Sequence, residues 1–260
     1  MAFERIPSGY PGVDEVFDYI RMGDNVVWQV SGLDEYRLFA EAFARQAMKD
    51  GRNLIYMHYT RHESRFSPGP GLKVFEFDPM QGFEPFTVDI YNRITEEGEG
   101  AFYIFDCLSE LQVAWHTDQM MGNFFRVTCP YLYELNTVAY FPVIRGRHSF
   151  ETMASIRDTT QVLIDVYTSD SAVYIHTLKA MDRESVNIYL PHVSRSGGPF
   201  KPLDVGGALS RYSQLLDDNT AHPQDQHLDR HDRYVHHAQL ACCTVPYQGA
   251  TGPPRLMTVS

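Results

Sequence analysis

The segment between Asp24 and Met48 constrains the fold of this chain more than any other. Residues 25–30 read Asn-Val-Val-Trp-Gln-Val, a short apolar run that predicts a buried strand. After a turn at Gly32, residues 36–48 have the apolar spacing of an amphipathic helix. Proteins that hold phosphate on backbone N–H groups use this succession of strand, glycine turn and helix. We expect one face of the helix to be buried, formed by Leu38, Phe39, Ala42, Phe43 and Ala47.

The turn lacks the side chains that a phosphate-binding loop requires. When the motif G-x-x-x-x-G-K-[ST] is aligned on Gly32, Leu38 takes the place of the lysine and Phe39 that of the hydroxyl residue. Two carboxylates stand where phosphate oxygens would lie, and like charges repel each other at short range. We therefore predict a degenerate phosphate loop that consists of Gly32, Asp34, Glu35, Arg37 and Leu38.

Charge and composition limit the partners of the protein. The 260 residues carry a formal net charge of −11, so we expect neither nucleic acid nor an anionic membrane as the main partner. No apolar run is long enough to span a membrane, and the N-terminus has no secretion signal. The four cysteines show no C-x-x-C spacing, which favours a reduced protein. We expect a cytoplasmic location.

The character of the sequence changes near its end. From about Asp217 the chain is rich in Asp, His and Gln and has almost no apolar periodicity. We expect one folded domain at residues 1–205, followed by a poorly ordered linker or tail at residues 206–260.

Apolar periodicity and turn residues predict the other elements of the domain. Pro130 is expected to end or kink a helix that begins at Leu108. Ser149 is expected to cap a helix that runs to Arg157. The predicted strands lie at 53–59, 72–78, 101–106, 137–142, 160–166, 172–178 and 186–190, the other helix lies at 83–97, and residues 191–202 are a predicted loop.

A second motif is the apolar run at residues 101–105, which ends in Asp106. A buried strand that ends in a carboxylate is the Walker B pattern of nucleotide-binding proteins, in which the carboxylate lies beside the bound phosphates. Two roles follow for Asp106, namely binding a cation or capping the next helix together with Ser109.

Arg145, Arg147 and His148 form a compact basic cluster in an otherwise acidic chain. They follow the strand predicted at 137–142 and would therefore face the edge at which parallel sheets bind ligands. Two interpretations remain open. The cluster contacts an anion or a partner, including a neighbouring subunit, or its members pair with local acidic residues.

Residues 8–15 read Ser-Gly-Tyr-Pro-Gly-Val-Asp-Glu and precede Gly23 and the first apolar strand. This order resembles the beginning of RecA-type ATPase domains of the KaiC family, which typically read T-G-x-P-G-L-D-E-L. The resemblance implies a RecA/KaiC-like three-layer α/β sandwich with a mostly parallel central sheet and a C-terminal antiparallel hairpin. It also implies acidic residues after the second strand, where this chain has Thr60 and Arg61, with Glu63 nearby.

Whole phrases at residues 23–30, 105–109 and 122–130 also resemble a module at the front of some bacterial phosphoenolpyruvate synthase-like proteins. In those proteins a region that binds phosphoenolpyruvate and pyruvate lies further along the chain. None of its ATP-grasp or phosphohistidine machinery is recognisable here, so the resemblance does not carry that activity to this chain.

These patterns predict a regulatory or assembly module without catalytic residues, cofactor or metal, which binds a protein partner or another copy of itself. An association with a phosphoenolpyruvate synthase-like system follows from the resemblance alone. The alternative is an atypical NTPase or kinase that binds Mg-ATP. It would use Asp106 for the metal and Arg145 or Arg147 for phosphate.

Overall fold

The computed structural model describes residues 4–59, 66–115, 117–169, 171–183, 187–203 and 207–220. The strands are β1 (Arg5–Ile6), β2 (Ile20–Arg21), β3 (Asn25–Val30), β4 (Leu54–His58), β5 (Leu72–Glu76), β6 (Phe102–Phe105), β7 (Val138–Ile144), β8 (Val162–Ser169), β9 (Ala172–Ala180), β10 (His192–Arg195) and β11 (Lys201–Pro202). The helices are α1 (Val13–Phe17), α2 (Leu33–Lys49), α3 (Phe83–Glu97), α4 (Gln112–Trp115), α5 (Gln119–Glu134), α6 (Phe150–Thr159) and α7 (Gly207–Thr220). Short 3-10 helices lie at Pro79–Gln81 and Leu108–Leu111.

A nine-stranded sheet runs through the centre of the fold in the order β11-β10-β9-β8-β3-β7-β6-β4-β5. The strands from β8 to β5 pair in parallel. The three strands beyond β8 pair antiparallel, beginning with the hairpin of β8 and β9. The expected α/β class with a mostly parallel central sheet is confirmed. β1 and β2 form a separate two-stranded sheet.

Helices cover both faces of the large sheet because its inner strands are apolar on both sides. On β3, Trp28 lies in the core on the α2 side, where its ring stacks on that of Phe39 at 4.1 Å. The neighbouring residue Val27 lies in the core on the other face, with residues of α3, α4, α5 and α6. These two cores fix the position of β3 and therefore of the turn that follows it.

Two predicted helices need correction, and one predicted cap is confirmed. α2 begins at Leu33, and Leu38 is 40% exposed instead of lying on the buried face. The helix around Pro130 neither starts at Leu108 nor ends at the proline, because a 3-10 helix and α4 come first and α5 continues through Pro130 to Glu134. By contrast, the predicted cap is confirmed, since the side chain of Ser149 accepts a hydrogen bond from the Thr152 N–H.

The C-terminal part of the domain also differs from the sequence prediction. Residues 187–190 form turns instead of a strand, whereas β10 and β11 lie in the segment that was expected to be a loop. α7 lies beyond residue 205, at which the domain was expected to end. Its Tyr212 is fully buried against Tyr167 and Tyr174, so the described fold extends to Thr220. The rest of the expected tail, residues 221–260, lies outside the described residues.

Candidate functional site

The turn after β3 lies where the direction of the sheet connections changes. From β3 the chain passes through α2 to β4, on the side of β7, whereas from β7 it passes through α6 to β8, on the opposite side of β3. Ligands of parallel α/β sheets bind at the carboxyl ends of strands at such a switch point. The structure brings two predicted groups together here, because the Nη1 of Arg145 lies 2.6 Å from the Oγ of Ser31, the residue before Gly32.

The side chain of Glu35 makes hydrogen bonds on both sides of the turn. Its Oε2 accepts a hydrogen bond from the Ser31 N–H at 2.7 Å, and its Oε1 accepts one from the Thr168 hydroxyl at 2.7 Å. The side chain therefore joins the start of α2 to the end of β8, and Glu35 is only 9% exposed. A glutamate in the first helical turn that reaches back to a preceding N–H group resembles a capping box. The backbone N–H of Ser31, directly before the degenerate loop, thus has an internal carboxylate as its partner.

The other residues of the degenerate loop do not converge on this point. Gly32 precedes α2 in extended backbone, and Asp34 is exposed in the first turn of the helix. Arg37 points along the helix surface and pairs with Glu41. With Leu38 also exposed, the described turn provides no cation in the place of the missing lysine.

Arg145 contacts the turn through Ser31, and protein groups hold the rest of its guanidinium. It pairs with the buried carboxylate of Asp165, and its Nη2 also donates to the Val166 carbonyl at 2.7 Å. The guanidinium lies 3.7 Å from the centre of the Tyr167 ring. Burial opposes the charge, but Asp165 and the other nearby anions outweigh it and raise the pKa of Arg145. Arg145 is therefore a structural cation rather than one that is available to a ligand.

Arg147 and His148 also pair with local carboxylates. Arg147 lies 2.9 Å from Glu110, and both side chains are substantially exposed. The Nδ1 of His148 lies 2.5 Å from Asp118, and the His148 side chain is inaccessible to solvent. Each member of the basic cluster therefore has an acidic partner, as the second of the two open interpretations expected.

Ser109, His148 and Asp118 are connected in the order of a hydrolase triad. The Ser109 Oγ lies 2.7 Å from the His148 Nε2, and the opposite ring nitrogen contacts Asp118. However, Ser109 is only 1% exposed, and its Oγ accepts the Ile144 N–H at 2.9 Å. A nucleophile needs an open approach for its substrate. These three hydrogen-bonded side chains instead hold the loop after β7 against the 3-10 helix that precedes α4.

Asp106 lies at the end of β6, as predicted, in a buried polar cluster. Its carboxylate lies 2.9 Å from the Nδ1 of His58 and accepts a longer hydrogen bond, of 3.4 Å, from the Tyr59 N–H. It does not cap the next helix, because Cys107 occupies the cap position there and no side chain makes a cap hydrogen bond. Ser109 contacts Ile144 and His148 instead. Asp106 is 5% exposed.

Tyr36, which the sequence motifs did not indicate, lies on the buried face of α2 and contacts the ends of two strands. Its hydroxyl donates to the carbonyls of Phe105 and Tyr140, at 3.4 and 3.3 Å. Burial, followed by the neighbouring tyrosines and Asp106, raises its pKa well above the ordinary value, so the hydroxyl stays protonated. The sequence signal that could have identified Tyr36 is its position in the first turn of α2, one residue after Glu35.

Thiol and metal chemistry have little support in the described part of the chain. Burial, with the nearby carboxylates, raises the pKa of Cys107 to about 12, which opposes formation of a nucleophilic thiolate. Among the described residues, no group of three or more His, Cys, Asp or Glu side chains is arranged to hold a metal ion. The positions of Thr60, Arg61 and Glu63 lie outside the described residues.

Of the helices in the described ranges, none combines the length and the apolar character needed to cross a membrane. No protein-family model matches the chain, and no curated protein is significantly similar to it in sequence.

Proposed function

We propose that this chain is a non-catalytic regulatory or assembly module with a RecA/KaiC-like fold whose nucleotide loop no longer binds nucleotide. The strand order supports the fold proposal. The strand before the glycine turn lies inside the sheet, the strand that ends in Asp106 lies two positions away, and an antiparallel hairpin extends the sheet beyond β8. The entry sequence at residues 8–15 supports it independently.

The observation that carries the functional proposal is the position of the Glu35 carboxylate. It accepts the Ser31 N–H within the turn in which a phosphate would need backbone donors. A triphosphate would have to displace this carboxylate and then remain beside it, without a lysine to neutralise the charge. We infer that the surface of the module, and not this turn, makes its functional contact, with a protein partner or with another copy of the chain.

The atypical NTPase or kinase is the less supported alternative. It needs a cation on the transferred phosphate, because phosphoryl transfer depends on electrostatic stabilisation of the transition state. Arg145 is committed to Asp165 and Ser31, and Arg147 pairs with Glu110. An association with a phosphoenolpyruvate synthase-like system remains a proposal that rests on the sequence resemblance.

Calorimetric titration of the purified chain with Mg-ATP tests the proposal. We expect no saturable heat from the wild-type protein up to about 1 mM nucleotide, a concentration that detects even weak binding. Asp106→Asn is the matched variant, since it keeps the size of the side chain and removes its charge. Saturable wild-type binding that weakens in D106N would refute the silent module and restore the NTPase alternative.

Sedimentation equilibrium separates the two kinds of partner. A mass above the 29.8 kDa of one chain, rising with concentration, assigns the contact to a second copy. A single-chain mass throughout assigns it to a protein of different sequence.

A further inference from the structure

A polar groove of about 370 Å³ runs between α5 and α6, on the face of the sheet opposite α2. Its volume lies within the range of small-molecule sites, which is roughly 300–1,000 Å³. The two helices approach closely at its floor, because a Cβ atom on Gly122 would lie 3.2 Å from the Cβ of Ser155. Small residues at this crossing leave the longer side chains around it to form the walls.

The walls of the groove carry one charge of each sign. Arg126 extends from α5, and Glu151 lies in the first turn of α6. Both are exposed, and neither side chain has an ion pair or hydrogen bond to any other residue in the described ranges. Elsewhere on the helices opposite charges pair within one turn, as Arg37 does with Glu41. Arg126 and Glu151 therefore remain available to a bound molecule.

Uncharged polar groups complete the lining. Gln119 and Asn123 are four residues apart on α5, and Arg126 follows three residues later, so the three side chains share one face of the helix. Each amide offers both donors and an acceptor, and the Ser155 hydroxyl offers one of each. The side chains of Gln119, Asn123 and Ser155 also make no hydrogen bond within the described chain.

We propose that this groove binds a free α-amino acid or a closely similar small zwitterion. Arg126 receives the carboxylate, Glu151 receives the ammonium group, and the amides of Gln119 and Asn123 orient the molecule. A simple anion would meet repulsion from Glu151, and a simple cation would meet repulsion from Arg126. An apolar ligand would leave these polar groups without partners. The proposal does not depend on the state of the turn after β3.

Ligand-observed NMR and calorimetry with serine, glycine, acetate and methylammonium test this assignment. We expect serine and glycine to bind with a dissociation constant on the order of 1 mM, since exposed charge pairs contribute little each. Acetate and methylammonium, which carry one charge only, should bind at least about tenfold more weakly. A solvated groove without a site would not distinguish these four probes.

Three variants complete the test. Arg126→Gln and Glu151→Gln should each weaken serine binding by about tenfold, while thermal melts report whether the fold is kept. Arg45→Gln is the matched control, because Arg45 is an exposed cation on α2, at the other face of the sheet. The proposal is overturned by absence of saturation at about 10 mM serine, by equal binding of acetate, or by unchanged binding in R126Q and E151Q.

Discussion

Replacing Arg145 with methionine should destabilise the fold far more than the same change at Arg147. Arg145 is 12% exposed and compensates the charge of Asp165, which is only 2% exposed. Without the guanidinium, the Asp165 carboxylate keeps the Tyr167 hydroxyl at 2.7 Å but has lost its cation. Removing one partner of a buried ion pair costs about 3–5 kcal/mol, because the other charge stays buried without compensation.

The matched control, Arg147→Met, breaks a pair in which the two side chains are 49% and 40% exposed. Exposed pairs contribute only about 0.2–1 kcal/mol, so the two variants should differ clearly. Urea denaturation followed by tryptophan fluorescence measures the free energy of unfolding, since Trp28 and Trp115 are both buried.

A double-variant cycle isolates the charge effect. Asp165→Asn added to R145M should recover at least about 1 kcal/mol, because it removes the uncompensated charge. The reasoning is refuted if R145M costs no more than R147M, or if the two changes at 145 and 165 are simply additive.

Three further predictions concern other parts of the fold. Tyr212→Phe should stabilise the protein by about 1 kcal/mol, because the buried Tyr212 hydroxyl has no hydrogen-bond partner among the described residues. Tyr167→Phe, which removes the bond to Asp165, should destabilise it by a similar amount; equal effects in urea denaturation would contradict this. Pro130→Ala should raise the melting midpoint and add about 2 kcal/mol to the free energy of unfolding, since Pro130 interrupts the hydrogen bonds of α5. A lower midpoint would show that the proline is needed. The third concerns acid stability: burial tends to raise the pKa of Asp118, but hydrogen bonds from His148 and Ser149 outweigh it and hold that pKa below 3.8. The carboxylate thus contributes stability above pH 3.8 that is lost as pH falls through the lower folded pKa, and Asp118→Asn should flatten this acid limb in unfolding curves measured at several pH values.

The elements with strong local signals could be predicted from the sequence. The helix expected at 83–97 begins and ends where α3 does, because its apolar stripe is regular and Gly98 follows its last residue. The Ser149 cap was predictable for the same reason, since both of its hydrogen-bonding groups lie within four residues. Strand β3 was predicted with its observed bounds from a single apolar run.

Elements that depend on distant contacts could not be predicted in the same way. β10 has four residues and pairs with β9, and no apolar run marks it. α7 has apolar residues at helical spacing, including Leu209, Tyr212 and Leu216, but its docking depends on aromatic side chains of β8 and β9 that the local sequence does not reveal. Pro130 is tolerated inside α5 because the helix packs against α6 and the core, which outweighs the local cost.

In the candidate site, too, the local features could be predicted from the sequence and the features that depend on distant contacts could not. The loss of the phosphate-binding side chains is evident from the sequence, since each missing residue has a fixed place in the motif. The position of the Glu35 carboxylate is not, because it depends on Thr168, a residue 133 positions further along the chain. The pairing of Arg145 with Asp165 likewise requires the sheet order, which places β8 next to β3.

The Glu35 contact has a consequence for how this protein responds to its surroundings. Domains that need a bound molecule to complete a loop gain stability from that molecule by mass action, about 2.7 kcal/mol at a hundredfold excess over the dissociation constant. Here the chain supplies the acceptor for the Ser31 N–H itself. On the function proposed above, the melting temperature should therefore stay constant across the range of nucleotide concentrations found in a growing or starving cell.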